Sequence, residues 1–301
     1  MLGQIVYRIV SVIPAAWLRR IGAWQWTGAL QQRLVQTGSR WLRQRDVTIR
    51  HGAAAGLRFN AGGANPGYAL GTTEPAVQAA LQERLRPGDV LYDIGANVGF
   101  FTVLAARLVG PGGRVVAFEP LPENVAALNH NIALNQLDNV TVIDAAVGAA
   151  TGTAGLVLAD EPTWARLSPR AGEAGSAPPA RETNGRAGGS GAPAAPSPAA
   201  IEVRLVSVDE LLAAGALPPP TLVKIDVEGA ELEVVRGMRA TLRRHRPVLL
   251  CEMHGKNREF AALLRDVAYE AEPLEGGEPL ESARWDVHVV AVPTPALPTT
   301  G

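Results

Sequence analysis

Cysteine is almost missing from this chain of 301 residues, which contains only one, Cys251. A single cysteine cannot form a disulfide within its own chain, so no disulfide framework holds the fold together. Cys251 lies in the apolar run 247–251 and is therefore predicted to be a buried thiol of the core. Because a chain without internal disulfides suits a reducing compartment, we expect a cytoplasmic protein.

An excess of charge of either sign is also missing. Lysine and arginine together number 28, aspartate and glutamate 29, and the formal net charge is -1. Such a chain exerts little long-range attraction on a phosphate backbone. We therefore expect no nucleic-acid partner.

Long apolar runs are missing as well, even in the segment 1–45, which has seven arginines, no acid and four of the six tryptophans. Arg8 interrupts the first apolar run and leaves it too short and too charged for a membrane span, and no signal-peptide pattern follows. Trp17, Ile21 and Trp24 share one helical face, which predicts a basic helical extension. Such a face packs on protein, including a second subunit, or lies at a membrane surface; tryptophan-bearing faces favour packing.

Three further segments follow from local patterns. Residues 46–88 are predicted to form a lead-in, with a hairpin at 46–60 and a helix that Thr73 caps and Pro87 ends. Residues 89–292 form the main domain, closed by a strand at 285–292 and followed by a frayed tail at 293–301. Alanine, glycine and proline dominate about 160–200, which predicts a disordered insertion between two strands that pair antiparallel.

A glycine turn at 93–99 carries the most specific chemistry. It follows the apolar run 90–92 and opens a helix, with Gly95, Asn97 and Gly99 in the turn itself. Asp93 would repel a pyrophosphate, yet it suits a ligand with ammonium and sulfonium charges, which S-adenosylmethionine carries. An ordinary strand–turn–helix junction is the alternative.

Two later strand ends extend this site. Glu119 ends the strand 113–118 at the distance where such folds place an acid on ribose hydroxyls, although a surface glutamate is the plainer interpretation. Asp144 ends a third strand, where it can accept from an adenine amino group while Ala145 leaves room for the ring. Three consecutive strands thus end in an acid.

These motifs resemble the FkbM family of S-adenosylmethionine-dependent methyltransferases. The resemblance runs from about Gly67 to His254 and is carried by 93–99, 118–120 and 224–231. It implies a Rossmann-like class I methyltransferase fold, with a mostly parallel seven-stranded sheet and helices on both faces. It also implies methyl transfer to a hydroxyl of a small molecule, sugar or lipid-linked acceptor, and it places Tyr68 and Glu74 near the substrate mouth.

The transfer chemistry is predicted at the next two strand ends. Asp226 and Glu228 follow the strand 221–225, and Lys224 points with Asp226 and holds it ionised. His254 ends the neighbouring strand and is predicted to be the general base, with a structural histidine as the alternative. A divalent cation held by Asp226, Glu228 and His254 is a further option that the spacing does not favour. 

Two other functions stay open. A nicotinamide oxidoreductase also uses a parallel sheet with an acid on the ribose, but its turn needs Gly-x-Gly-x-x-Gly rather than the Gly-x-x-x-Gly found at 95–99. A catalytically inert scaffold with the same fold is the third class. The acids Asp93, Glu119 and Asp226 argue against it. His288, on the last strand, is predicted to be structural.

Overall fold

A computed structural model describes residues 45–158, 165–168 and 200–294 of the protein. The predicted N-terminal extension, apart from Arg45, lies outside the described residues, as do nearly all of the predicted insertion and the tail beyond Thr294. Within the described part of the chain, no helix is both long enough and apolar enough to cross a lipid bilayer.

The lead-in begins with the predicted hairpin, formed by β1 (Val47–Thr48) and β2 (Arg58–Phe59), which pair antiparallel. Two helices follow, α1 (Gly67–Leu70) and α2 (Pro75–Arg84). The prediction that Thr73 caps α2 is wrong. Glu74 occupies the position before the helix, because Pro75 fills the first helical position, where a missing N–H costs nothing.

A seven-stranded sheet forms the centre of the main domain. Its strands are β3 (Val90–Ile94), β4 (Arg114–Phe118), β5 (Val140–Ile143), β10 (Leu222–Ile225), β11 (Val248–His254), β12 (Tyr269–Pro273) and β13 (Asp286–Pro293). They lie in the order β12-β13-β11-β10-β3-β4-β5. Only β13 runs antiparallel to its neighbours, and the other described pairs are parallel. The predicted mostly parallel, seven-stranded sheet is confirmed.

Helices cover both faces of this sheet. They are α3 (Phe100–Val109), α4 (Pro122–Leu134), α5 (Val208–Ala213), α6 (Glu231–Arg236), α7 (Arg239–His245) and α8 (Asn257–Asp266). Strand residues alternate between two cores: Tyr92 belongs to the cluster with Phe260 of α8, whereas Leu91 belongs to the cluster with Val103 of α3. Successive side chains of a strand point to opposite faces of the sheet, and both faces are buried. The strands are therefore apolar along nearly their whole length. Each such large side chain contributes roughly 1.5–3 kcal/mol on burial.

A second, four-stranded sheet lies beside the first. Its strands are β6 (Ala146–Val147), β7 (Gly152–Leu158), β8 (Ala165–Ser168) and β9 (Ala200–Val206), in the order β6-β9-β7-β8. The antiparallel pairing of β7 with β9, predicted from their alternation, is confirmed. The strand β8 lies inside the predicted disordered insertion. It pairs with the edge of β7, whose backbone groups would otherwise lack partners.

Candidate active site

The carboxyl ends of the parallel strands β3, β4, β10 and β11 meet at one edge of the main sheet. A cavity of about 240 Å³ opens there. Among the described residues that line this cavity, five are acids and none is a lysine, arginine or histidine. The acids are Glu74, Glu119, Asp226, Glu228 and Glu252.

The glycine turn forms one wall of this cavity. Gly95 has φ +81°, and a Cβ placed on it would lie 1.8 Å from the backbone oxygen of Asp226, so no other residue fits there. Asn97 is also in the left-handed region, and its Oδ1 accepts from the backbone N–H of Val98 at 2.7 Å. Gly99 then precedes α3. Gly95 and Asn97 line the cavity, and Gly99 shapes the turn behind them.

Glu119 lies at the end of β4 and is 4% exposed. Its carboxylate accepts from the backbone N–H groups of Asn97 at 2.8 Å and Leu121 at 2.9 Å, and from the side-chain amide of Asn124 at 3.2 Å. Burial raises the pKa of Glu119 to about 7, although these three donors oppose the shift. Asn124 was not named as a site residue from the sequence. Its position in the first turn of the helix that follows β4 could have indicated that its side chain lies near Glu119.

Asp93 and Asp144 lie elsewhere than the sequence suggested. Asp93 is fully buried behind the cavity wall, where the Thr102 hydroxyl donates to it at 2.6 Å and Lys224 Nζ lies 3.8 Å away. Burial raises the pKa of Asp93, and Lys224 opposes that shift. Asp144 is exposed and does not line the cavity, whereas Ala145 does. Neither Asp93 nor Asp144 lines the cavity, so this geometry does not bring either acid into the direct ligand contact that the sequence predicted.

Lys224 holds two carboxylates together. Its Nζ lies 3.2 Å from Asp226 Oδ2, as the sequence predicted, and 4.8 Å from the ring centre of Phe101. Burial alone would lower the pKa of Lys224, but Asp226 and Asp93 raise it above its usual value. Lys224 therefore stays charged and anchors Asp226 at the cavity edge.

His254 contacts carboxylates through both ring nitrogens. Its Nδ1 lies 2.8 Å from Glu231 Oε1, and its Nε2 lies 3.2 Å from Glu228 Oε2 and 3.8 Å from Glu252 Oε1. Burial would lower the pKa of His254, but these carboxylates raise it to about 9. His254 is buried and does not line the cavity. A ring that is charged at neutral pH cannot accept a proton, so this geometry does not support the predicted role of general base.

Glu228 and Glu231 flank Gly229 at this edge. Glu228 has φ +51°, an unusual value for a residue other than glycine, and its side chain faces the cavity. Burial raises the pKa of Glu228 to about 7, while His254 opposes the shift. Glu231 is fully buried and also accepts from the backbone N–H of Gly229 at 2.7 Å. Glu231 was not named as a site residue, although it closes the motif 224–231.

A second histidine lies on the other side of Glu252. His288 Nε2 is 3.5 Å from Glu74 Oε2 and 3.6 Å from Glu252 Oε2. Burial would lower the pKa of His288, but the two carboxylates raise it to about 10. The Tyr68 hydroxyl lies 3.5 Å from Glu74 Oε1, and both residues line the cavity. Tyr68 and Glu74, which the resemblance placed near the substrate, therefore lie in the wall of this cavity.

Comparison with known families identifies the chain. A model of the methyltransferase FkbM domain matches residues 93–271, which is more than half of the sequence. The chain belongs to the FkbM methyltransferase family. The FkbM match includes Glu119, Asp226, Glu228 and His254, and it confirms the resemblance seen in the motifs. The seven-stranded sheet is accordingly a class I methyltransferase sheet.

Individual relatives of this FkbM-family chain differ in the extent of the match. The hexuronic acid methyltransferase AglP of Haloferax volcanii is 29% identical over 165 residues, covering 55% of this chain and 56% of that protein. The chain thus spans little more than half of that relative. The 31-O-demethyl-FK506 methyltransferase FkbM of Streptomyces tacrolimicus is 34% identical over 209 residues, covering 64% of this chain and 78% of that protein. A crystal structure of methyltransferase FkbM from Methylobacillus flagellatus KT has 16% identity and a TM-score of 0.44, covering 76% of this chain and 55% of that one.

Proposed function

We propose that the protein transfers the methyl group of S-adenosylmethionine to a hydroxyl oxygen of a small molecule or sugar. The observation that carries this proposal is the acidic cavity at the carboxyl edge of the sheet, lined by five carboxylates and by no basic residue within the described part of the chain. Such a cavity attracts a positively charged ligand. It disfavours the pyrophosphate of a nicotinamide dinucleotide, which is the main alternative.

The residues present fit S-adenosylmethionine. Gly95 lets the turn pass close to the Asp226 backbone at the cavity wall, and Glu119 retains acceptor capacity on a carboxylate that three donors already orient. Ala145, with the apolar Phe118 and Leu121, forms a wall suited to an adenine ring. The cofactor, when bound, supplies an electrophilic methyl group on a positively charged sulfur.

The protein's part in the transfer is to align the acceptor and to take its proton. Alignment of the attacking oxygen with the methyl carbon accounts for most of the rate gain in such displacements. Asp226, Glu228 and Glu252 line the cavity, so one of these carboxylates takes the hydroxyl proton as the oxygen–carbon bond forms. His254 positions Glu228 from behind, and Lys224 positions Asp226.

The acceptor class follows from the relatives only in outline. One relative is named for a hexuronic acid and the other for 31-O-demethyl-FK506, so both names refer to hydroxylated small molecules. A sugar, a polyketide or a lipid-linked glycan is the acceptor class we propose for this chain. Nothing in the cavity requires a nucleic acid, since no basic residue lines it in the described structure.

The test uses the purified full chain in two stages. Calorimetry should show binding of S-adenosylmethionine and S-adenosylhomocysteine and none of NADH. Release of S-adenosylhomocysteine is then measured against a panel of glycosides, polyketides and lipid-linked glycans, with Glu119→Ala as the binding-deficient control. Binding of NADH in place of the methyl donor would overturn the proposal. Donor binding without release on any acceptor would favour the inert scaffold instead.

A further inference from the structure

We propose that a divalent metal cation binds between Asp226, Glu228 and His254, at the side of the cavity that receives the acceptor. The binding site itself stands on the geometry alone; its role in catalysis rests on the methyl transfer proposed above. Asp226 and Glu228 follow β10, and His254 ends the adjacent parallel strand β11, so the sheet brings the three together.

The distances among the three side chains suit a shared cation. One ligand atom of each lies within 4.8 Å of the others. Atoms that bind one cation at roughly 2.0–2.4 Å lie at most about 4.8 Å apart, the separation of two ligands on opposite sides. Asp226 and Glu228 also line the cavity, so water or an acceptor hydroxyl can complete the coordination.

The orientation of His254 supports a ligand role. Its Nδ1 lies 2.8 Å from Glu231, which is fully buried, so Nδ1 donates to that carboxylate, and Nε2 faces Glu228 at 3.2 Å. A cation between Nε2 and Glu228 would take the place of the proton that the ring holds there in its absence. A carboxylate behind the ring is the usual arrangement for a histidine that binds a metal.

The local charge favours the cation over the second proton. Three carboxylates surround the His254 ring, from Glu228, Glu231 and Glu252, and Asp226 lies within the same cluster. The Nζ of Lys224 lies 3.2 Å from Asp226 and 3.8 Å from Asp93, so its one charge is shared between those two carboxylates. A single positive charge on the ring leaves this group of acids strongly negative, whereas a divalent cation offsets one charge more.

The cluster around His288 provides an internal comparison. Glu74, Glu252 and His288 also place ligand atoms within 4.8 Å of one another. Among the described residues, however, no carboxylate contacts Nδ1 of His288. The ring therefore lacks the carboxylate that orients His254. We assign the site to His254 for this reason.

A cation at this position would act directly on the acceptor. Bound to the hydroxyl oxygen, it withdraws electron density and makes the O–H proton easier to remove. Of the three carboxylates proposed above to take the hydroxyl proton, Asp226 and Glu228 are then occupied as ligands, which leaves Glu252. The oxygen then forms its bond to the methyl carbon as the carbon–sulfur bond breaks, and the sulfur keeps the electron pair.

The experiment titrates Mn²⁺ into the metal-free full chain, followed by calorimetry and by the electron paramagnetic resonance of free Mn²⁺. We expect one site. His254→Ala and Glu228→Gln should each weaken it at least about 10-fold, and Glu231→Gln by roughly 10- to 100-fold. His288→Ala is the matched control and should leave the affinity unchanged. Thermal unfolding of each variant verifies that it is folded. If His254→Ala does not fold, Glu228→Gln, which keeps the shape of the side chain, provides the test.

Several results would overturn the site. These are no Mn²⁺ binding to the folded wild type, or binding that His288→Ala abolishes and His254→Ala leaves intact. Methyl transfer at full rate in EDTA would overturn the catalytic role while the proposed function stands. Absence of S-adenosylmethionine binding would refute the proposed function, and the Mn²⁺ titration would still decide whether the cation site exists.

Discussion

The two halves of the cavity are built in different ways. The half proposed for the cofactor (the cofactor half), at the ends of β3 and β4, consists of a glycine turn and one carboxylate that backbone N–H groups hold in place. The half proposed for the acceptor (the acceptor half), at the ends of β10 and β11, consists of charged side chains that orient one another. The first half depends on backbone shape within about 30 residues of chain, and the second depends on contacts between distant strands.

The largest expected effect concerns the charge that joins the two halves. Lys224→Met should destabilise the fold by about 3–5 kcal/mol, because it leaves Asp93 and Asp226 without their shared cation in a buried site. Urea unfolding measures this loss. Arg236→Met, at an exposed ion pair with Glu233, is the control and should change stability by less than about 1 kcal/mol. Similar losses in both variants would show that the buried pairing does not stabilise the fold.

Backbone shape in the cofactor half is tested by Gly95→Ala. We expect a loss of about 2–4 kcal/mol, since the new Cβ meets the Asp226 carbonyl and φ is +81°. Gly88→Ala separates the two causes, because Gly88 has φ +95° and nothing within 4 Å of an added Cβ. It should cost only about 1–2 kcal/mol. Equal losses in urea unfolding would mean that close approach to β10 is unimportant.

The carboxylate of the cofactor half is tested by Glu119→Gln. S-adenosylhomocysteine affinity should fall by roughly 10- to 100-fold, the loss expected for a hydrogen bond to a charged group. The new amide nitrogen cannot accept from the N–H groups that the carboxylate binds, so some loss of stability is expected and thermal unfolding verifies that the variant is folded. Glu123→Gln, four residues further on and exposed, is the matched control and should bind as the wild type does. Unchanged affinity of Glu119→Gln by calorimetry would remove Glu119 from the cofactor site.

The same carboxylate predicts a pH dependence. Its pKa in the free protein is about 7, and a ligand that donates to it favours the ionised form. Affinity for S-adenosylhomocysteine should therefore rise as the pH increases, by about 10-fold between pH 6 and 8, with proton release on binding below pH 7. The difference between wild type and Glu119→Gln cancels the ligand's own ionisation. An identical pH profile for both proteins would contradict the assignment.

The smallest effect is expected at Asp144. Because Asp144 is exposed and does not line the cavity, Asp144→Asn should change cofactor affinity by no more than about twofold. A larger loss of affinity in calorimetry would support the contact between Asp144 and the adenine that the strand-end pattern predicted. The cofactor half would then also depend on a charged side chain outside the backbone turn.

The sequence anticipated much of the cofactor half because its information is local. A strand, a glycine turn and a helix are neighbours along the chain, so Gly95, Asn97 and Glu119 could be placed from spacing alone. The exception is Asp93. Its position before the turn was evident, but whether its side chain faces a ligand or Lys224 depends on which strand packs beside β3.

The acceptor half was anticipated less completely. The sequence named Asp226, Glu228, Lys224 and His254, yet it could not show that His254 contacts Glu231 and Glu228 rather than the cavity. That outcome also depends on Glu252, which lies between the two histidines. Such contacts join residues from different strands, and no periodicity encodes their distances.

The sequence by itself determined the strand and helix pattern, the glycine turn, the family and the set of acids at the strand ends. Only the tertiary structure decided which acids share a cavity, which are buried behind it and which nitrogen of each histidine a carboxylate contacts. The reason is physical: secondary structure follows from short-range sterics and apolar period, whereas the state of a charged group depends on burial and on neighbours that only folding brings together.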